Sequence, residues 1–244
     1  MKILIVVAHA DDETIAASSL MFRHPQDITI LHTTDSAPRN PKYFTRAGYS
    51  TREAYGANRR AEFLAAVEVA GIRAGNCHML PIPDQDAILD LAQLVEAIRA
   101  HLPVDRIITH AYEGGHPDHD ATALAVSMAV ARTSAKVLEY PGYHALGGAM
   151  VASVFLPHPS NPPVEHVVLT PEDIARKLAM FDCFASQRHV FDRFSTTEEQ
   201  FRPAPQYNFL EPPHEGGLYY ESRDMGINYA EWRELARAQV ASTS

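Results

Sequence analysis

Two kinds of hydrophobic pattern alternate along the chain. Starting at Ile3, ILIVV is an unbroken β-branched and leucine run, the mark of a strand buried on both faces of a parallel sheet. From Glu13, ETIAASSLMFR reads as a helix, and DITILHTT from Asp27 reads as a second strand. After a long loop, REAYGANRRAEFLAAVEVAGI predicts a strong helix ending near Gly71, followed by a short strand in NCHMLPIP. DQDAILDLAQLVEAIRAHL has apolar residues at helical spacing and predicts a helix from Asp84 that stops at Pro103. VDRIITHA and AKVLEY then read as strands on either side of a helix in HPDHDATALAVSMAVAR.

This βα alternation predicts an α/β fold: a Rossmann-like, doubly wound, mainly parallel sheet of order 3-2-1-4-5 with right-handed crossovers. Beyond it, VASVFLP and VEHVVLT read as strands around the turn PHPSNPP, a C-terminal antiparallel extension. TPEDIARKLAMFDCFASQ predicts a helix with Thr170 as N-cap, Pro171 at its first position and Asp173 three residues after the cap. The last part of the chain, rich in Pro, Tyr and Arg, yields no assignment. No composition shift or linker divides the 244 residues. A single domain over 1–244 is expected, with a core in 1–140 and an extension in 141–244 packing on it.

Composition narrows the function classes. With 21 basic against 30 acidic residues the net charge is -9, which argues against nucleic-acid binding by phosphate neutralisation. Cys77 and Cys183 are the only cysteines and form no Cys-x-x-Cys motif, so a disulfide scaffold or thiolate zinc site is not indicated and a cytoplasmic setting is expected. The N-terminal apolar run is too short for a signal peptide, and no stretch approaches the roughly 20 apolar residues that span a bilayer. No membrane partner is expected.

Chemistry is concentrated in two loops. His9-Ala10-Asp11-Asp12-Glu13 follows the first strand, and His110 to His119, with Glu113, His116 and Asp118 between them, follows the fourth. In a 3-2-1-4-5 sheet those strand ends are neighbours, and ligands bind in the crevice outside them. His9 and Asp12 are three apart, as are His116 and His119, so each pair shares a face if its segment enters a helix. Pro117 favours a helix start there. Three adjacent acids could serve a helix N-terminus, and the histidines taken alone could lie on the surface. Both clusters at facing strand ends instead suggest imidazole and carboxylate ligands around an open, catalytic metal position.

AHADDE resembles the AHPDDE signature of the PIG-L/LmbE-type zinc-dependent N-deacetylases, and GGHPDH resembles their second signature. The Arg59-x-x-Glu62 pair is similar to a third motif of that family. The resemblance implies a Rossmann-like fold and hydrolysis of an N-acyl group, usually acetyl, from an amino sugar or glycoconjugate. It implies Zn2+, or another divalent metal, on His9, Asp12 and His119, with Asp11 as general base for a metal-activated water. His116, oriented and kept basic by Asp118, would lie near the oxyanion and donate a hydrogen bond or proton to it. Glu13 would support the ligands or the helix start. Ala10 stands where the signature usually has proline, and Gly114 stands where some relatives have a tyrosine that suits the oxyanion; Tyr112 is the candidate replacement.

Arg59, Tyr112 and Glu113 are the candidate substrate-binding residues. The loop after the second strand adds Arg39, Lys42, Arg46 and Arg52, interleaved with Tyr43, Phe44, Tyr49 and Tyr55, and is expected to hang over the crevice as a sugar-binding or lid element, or to be a solvated or subunit-contact loop. The alternatives are a metal-dependent hydrolase of another small amide or a phosphoester, and a non-catalytic carbohydrate-binding relative. A phosphohydrolase would want Asp-x-Asp after the first strand, and a dinucleotide-binding oxidoreductase would want Gly-x-Gly-x-x-Gly there; neither is present. A homo-oligomer is open.

Overall fold

The unbroken run at the N-terminus becomes the middle of the sheet. The computed structural model describes residues 1–223 and 225–243. In chain order its first elements are β1 (Ile3–Val7), α1 (Asp12–Arg23), β2 (Ile28–His32), α2 (Pro41–Arg46), α3 (Arg52–Val69), β3 (Cys77–Met79), α4 (Leu91–Arg99), β4 (Arg106–His110), α5 (Pro117–Val130) and β5 (Lys136–Tyr140). They are followed by β6 (Tyr143–Leu146), β7 (Ala149–Ala152), β8 (Glu165–Val168), α6 (Pro171–Asp182), α7 (Arg188–Phe191), β9 (Glu198–Pro203), α8 (Tyr219–Ser222) and α9 (Tyr229–Thr243).

The main sheet has the order β3-β2-β1-β4-β5-β9-β8. Its first five strands are parallel and match the predicted order, and β1 pairs with both β2 (Ile3 with Ile28) and β4 (Ile3 with Arg106). Every residue of β1 is buried because helices cover both faces. Ile3, Ile5 and Val7 join a core with Phe63 of α3 and Met180 of α6, whereas Leu4 and Val6 join another with Leu91 of α4, Leu124 of α5 and Trp232 of α9. Each such side chain contributes about 1.5–3 kcal/mol on burial, which is why the run cannot alternate with polar residues. The strand order reverses between β1 and β4, so the loops leaving these two strands diverge and open a crevice at the carboxyl end.

The extension differs in detail from the sequence reading. VASVFLP and VEHVVLT do not pair with each other: β7 closes a hairpin with β6, and β8 pairs antiparallel with β9, which pairs antiparallel with β5. The missing partner was β9, in the stretch that alternation alone left unassigned. The predicted α6 is present with a full capping box, Thr170 Oγ1 accepting from the Asp173 N–H and the Asp173 carboxylate from the Thr170 N–H. The helix predicted from Asp84 begins later. Residues 84–86 are loop, a short 3-10 turn covers Ala87–Asp90, and α4 ends at Arg99.

α1 is broken at Ala17 (φ −142°, ψ 27°), and a buried network fills the break. Lys177 Nζ donates to the Ile15 carbonyl (2.8 Å) and to Glu199 Oε1 (3.0 Å), while Ser18 and Ser19 hydroxyls each donate to Glu199 at 2.6 Å. Lys177 and Glu199 side chains are fully buried, so removing one leaves the other charge unpaired. Lys177→Met is expected to cost about 3–5 kcal/mol in urea denaturation; a loss below about 1 kcal/mol would contradict that account. Among the described residues, no helix is long and apolar enough to cross a membrane.

Candidate metal centre

The turn after β1 is held by a donor–acceptor match at each N–H. Ala8 N–H donates to His110 Nε2 (2.9 Å), His9 N–H to Asp12 Oδ2 (2.7 Å), Ala10 N–H to Ser36 Oγ (2.8 Å) and Asp11 N–H to Glu13 Oε2 (3.1 Å). Asp11 itself sits at φ 127°, a conformation costly for a side-chain-bearing residue. Two groups hold it there. The buried Glu13 carboxylate, which also takes Thr14 Oγ1 (2.7 Å) and contacts His32 Nε2 (2.9 Å), grips its N–H. Arg59 Nη2 donates to the Ala10 carbonyl and to Asp11 Oδ2 (2.9 Å). Glu13 is thus a buttress of the turn, and neighbouring acids are tolerated because each faces a different partner.

The second loop enters α5 with His116 as N-cap: its Nδ1 accepts from the Asp118 N–H at 3.2 Å, and Pro117 opens the helix. Asp120 Oδ1 folds the loop back by accepting from the N–H groups of Glu113 and Gly114, both at 3.2 Å. A side chain at Gly115 would collide with the Tyr143 carbonyl, 1.9 Å from an ideal Cβ, so only glycine lets the loop and the β6 strand meet.

These two loops bring His9, Asp12 and His119 together. His9 Nδ1 lies 3.3 Å from Asp12 Oδ2, and His119 Nε2 lies 3.5 Å from Asp12 Oδ1. His9 Nε2 is 3.1 Å from Asp118 Oδ2 and its Nδ1 faces Asp12, so both ring nitrogens meet carboxylates that fix the orientation of the imidazole. The sequence reading has Asp118 orient His116 and keep it basic: its N–H donates to His116 Nδ1, while its carboxylate stands 3.9 Å from that atom and accepts from the Gln85 (2.6 Å) and Ala87 (3.1 Å) N–H groups.

Three residues near the cluster were missed. Asp84 Oδ1 lies 3.3 Å from His9 Nε2 and 3.5 Å from His116 Nε2, without a hydrogen-bond partner among the described residues. The loop after β3 leaves from the same sheet end and carries Asp84 to the cluster, whereas the sequence pattern alone reads this acid as a helix start. His110 stacks on His119 (ring centroids 3.9 Å apart, 14° between planes) and contacts the Tyr140 hydroxyl through Nδ1 at 2.8 Å. Since His110 Nε2 already accepts from Ala8, its lone pair is committed and it supports the cluster from beneath. Tyr143 is the third, its ring edge-on to His119 at 5.5 Å.

Burial and charge set the protonation pattern. Burial pushes Asp11 up to about 7, with Arg59 opposing and Asp12 adding to the rise. Asp12 is also penalised by burial, but His119 and His110 hold it well below the carboxylate range. His9 is raised well above its ordinary value despite burial, chiefly by Asp84 and then Asp118 and Asp12. Burial, with His9 opposite, lowers His116 to about 4, which keeps it neutral at pH 7. A site whose acids force a proton onto a buried histidine is one that favours a cation. Its nitrogen and oxygen donors fit a divalent metal.

A family profile described as GlcNAc-PI de-N-acetylase, PIG-L, matches residues 4–130, just over half of the chain. The chain belongs to the PIG-L family. Solved structures share the fold at low identity: teicoplanin deacetylase in its zinc-inhibited form (16% identity, 85% of this chain and 99% of that one, TM-score 0.65) and N,N'-diacetylchitobiose deacetylase from Pyrococcus horikoshii (14%, 82% and 83%, TM-score 0.53). A 4-carboxy-2-hydroxymuconate hydratase from Pseudomonas putida also does (17%, 85% and 98%, TM-score 0.53). No curated protein matches.

The remaining candidates occupy varied places in this PIG-L fold. Arg59 is 2% exposed and bound to Asp11, the Ala10 carbonyl and Glu62. Glu62 is in turn held by Ser186 N–H (2.8 Å) and Oγ (2.6 Å). The Tyr112 hydroxyl donates to the Glu211 carbonyl (2.9 Å) and the ring packs on Phe209 and Trp232, under the C-terminal segment. Glu113 accepts from the Gly142 N–H (3.3 Å), and burial lifts it to about 8. Gly114 faces Leu218, 2.7 Å from an ideal Cβ. In the basic loop, Arg52 binds Asp35 and the Ala37 carbonyl and Arg39 binds Asp86 (2.6 Å), so these cations serve the loop itself.

Proposed function

We propose that this chain is a zinc-dependent N-deacetylase that hydrolyses an N-acyl, in the first instance N-acetyl, amide of an amino sugar or glycoconjugate. The observation that carries the reading is a cluster less than 9% exposed in which Asp12 meets His9 through Oδ2 and His119 through Oδ1, and in which His9, His116 and His119, and also Asp12, His110 and His119, bring donor atoms within reach of one cation, beside the carboxyl of Asp11. Zinc bound there supplies a Lewis acid that polarises the amide carbonyl and acidifies water. Asp11 takes the proton of the attacking water; a carboxyl lifted toward 7 has the basicity such a transfer needs. Arg59 holds that carboxyl in place and keeps it from drifting onto the metal ligands. His116 accepts at Nδ1, which leaves its proton on Nε2, facing the cluster as a donor to the oxyanion or leaving amine. Asp118 serves in this scheme by fixing the orientation of His9 through its carboxylate and the tautomer of His116 through its N–H.

The sugar part of the reading rests on the family and on the open crevice between two polar loops. A cytoplasmic setting belongs to the same reading, on the two free cysteines. The same fold carries a hydratase, so the fold does not by itself choose the reaction. The test is a screen of N-acetylated amino sugars and glycoconjugates for free amine. Amine release that stops on chelation and returns with Zn2+ is expected. Release only from small aliphatic amides would remove the sugar, hydrolysis only of phosphoesters would remove the amide, and zinc binding without turnover would leave a carbohydrate-binding relative.

A further inference from the structure

Outside the metal centre, three buried side-chain atoms gather from separate segments: Glu113 Oε2 from the loop after β4, His144 Nδ1 from β6 and His214 Nε2 from the turn before α8. None has a hydrogen-bond partner among the described residues, and buried polar atoms in that state call for an ion or a water. Glu113 and His144 are each 3% exposed. Their orphaned atoms face each other at 3.8 Å. That is too far for a hydrogen bond, but near the roughly 3.4 Å that separates an oxygen and a nitrogen ligand on one tetrahedral zinc. The other Glu113 oxygen is fixed by the Gly142 N–H at 3.3 Å, so the free one is aimed. Burial lifts Glu113 to about 8 against the pull of the Gly142 N–H and Arg202, and burial lowers His144. Neither side chain brings the positive charge that would favour the carboxylate.

His214 is prepared as a ligand in another way. Its Nδ1 lies 2.8 Å from the Glu215 carbonyl, so the proton sits on Nδ1 and the Nε2 lone pair is left open, the tautomer that a backbone carbonyl fixes in metal-binding histidines. Its ring is 6.2 Å from that of His144, wider than the 5.3 and 5.2 Å between His119 and the rings of His9 and His116. The turn has room to close that gap, because an ideal Cβ at Gly216 or Gly217 meets nothing within 4 Å. We propose that Glu113, His144 and His214 form a second, weaker divalent-cation site, suited by two imidazoles and one carboxylate to Zn2+, and that the 214–217 turn moves in to complete it. A cation there ties the loop leading to His116, the β6–β7 hairpin and the C-terminal segment to one another. The site does not depend on the amide chemistry.

The experiment titrates the zinc-free full chain with ZnCl2 by calorimetry and follows its Tm as zinc is raised. Wild type should take up about two zinc ions per chain, the second more weakly, with a Tm that keeps rising after the first is bound. His144→Ala and His214→Ala should each weaken the second event at least about ten-fold and leave the first near its wild-type affinity. His214 is on a largely exposed turn, so its variant tests the site whether or not His144→Ala folds. A single zinc per wild-type chain, or a second zinc that His214→Ala binds at full affinity, overturns the proposal. One zinc in wild type that His214→Ala removes would instead support this site and overturn the centre at His9, Asp12 and His119.

Discussion

Asp11→Asn is expected to keep its metal and its fold and to lose about 10²–10⁴-fold in kcat, the range for removing a positioned general base. The substitution is close to isosteric. The amide oxygen can still accept from Arg59 Nη2, and the Asp11 N–H bond to Glu13, which maintains the φ of 127°, does not involve the side chain. Asp11 is not among the residues whose donor atoms converge as a metal group, so zinc content should stay near wild type. What disappears is the proton acceptor. The same carboxyl predicts a pH profile: it is raised to about 7 by burial against the pull of Arg59, and a bound cation nearby can only favour its charged form. The acid limb of kcat/KM should therefore rise with pH, with a pKa no higher than about 7, and should vanish in Asp11→Asn. Metal analysis and a pH–rate series decide it. A variant with full turnover would remove Asp11 from the mechanism.

How much of this was readable beforehand depends on whether a feature is local. ILIVV could only be a doubly covered strand, and β1 and β4 could be placed side by side from the βα alternation, so the meeting of His9, Asp12 and His119 was visible in the pattern. The capping box of α6 is likewise a matter of four neighbouring residues. The misses came from partners distant in sequence. β9 has no strong alternation and is a strand because β5 and β8 flank it. Asp84 looks like a helix start until the loop after β3 is folded over the crevice, where Asp118 pins the backbone of Gln85 and Ala87 and prevents the helix from beginning at Asp84. Asp118 reads as a partner of His116 in the same motif, which its N–H holds, but its carboxylate also reaches His9, over a hundred residues away. Tyr112 was the nearest tyrosine to the missing one at Gly114. Tyr143, whose ring meets His119, comes from the next strand connection.

His119→Ala should lose both metal and turnover, and the reason it cannot be repaired lies in His110. The two imidazoles stack at 3.9 Å, and His110 Nε2 is 3.5 Å from Asp12 Oδ2, so by distance His110 is a spare ligand. It is occupied, however: Nε2 accepts the Ala8 N–H at 2.9 Å at the very end of β1, and burial, with the neighbouring His119 adding, holds it well below its usual pKa. Turning that lone pair to a metal would leave a buried backbone N–H without an acceptor, at about 1–3 kcal/mol, and would disturb the turn carrying His9. Zinc affinity in His119→Ala should thus fall at least about 100-fold, more than the ten- to hundred-fold typical of losing a group that merely orients a ligand. Calorimetric zinc titration of the variant, with circular dichroism to establish that it is folded, makes the comparison. A folded His119→Ala that binds one zinc as tightly as wild type would mean that the cation is held by the His9, Asp84 and His116 side of the cluster, and the ligand set would have to be redrawn around Asp84.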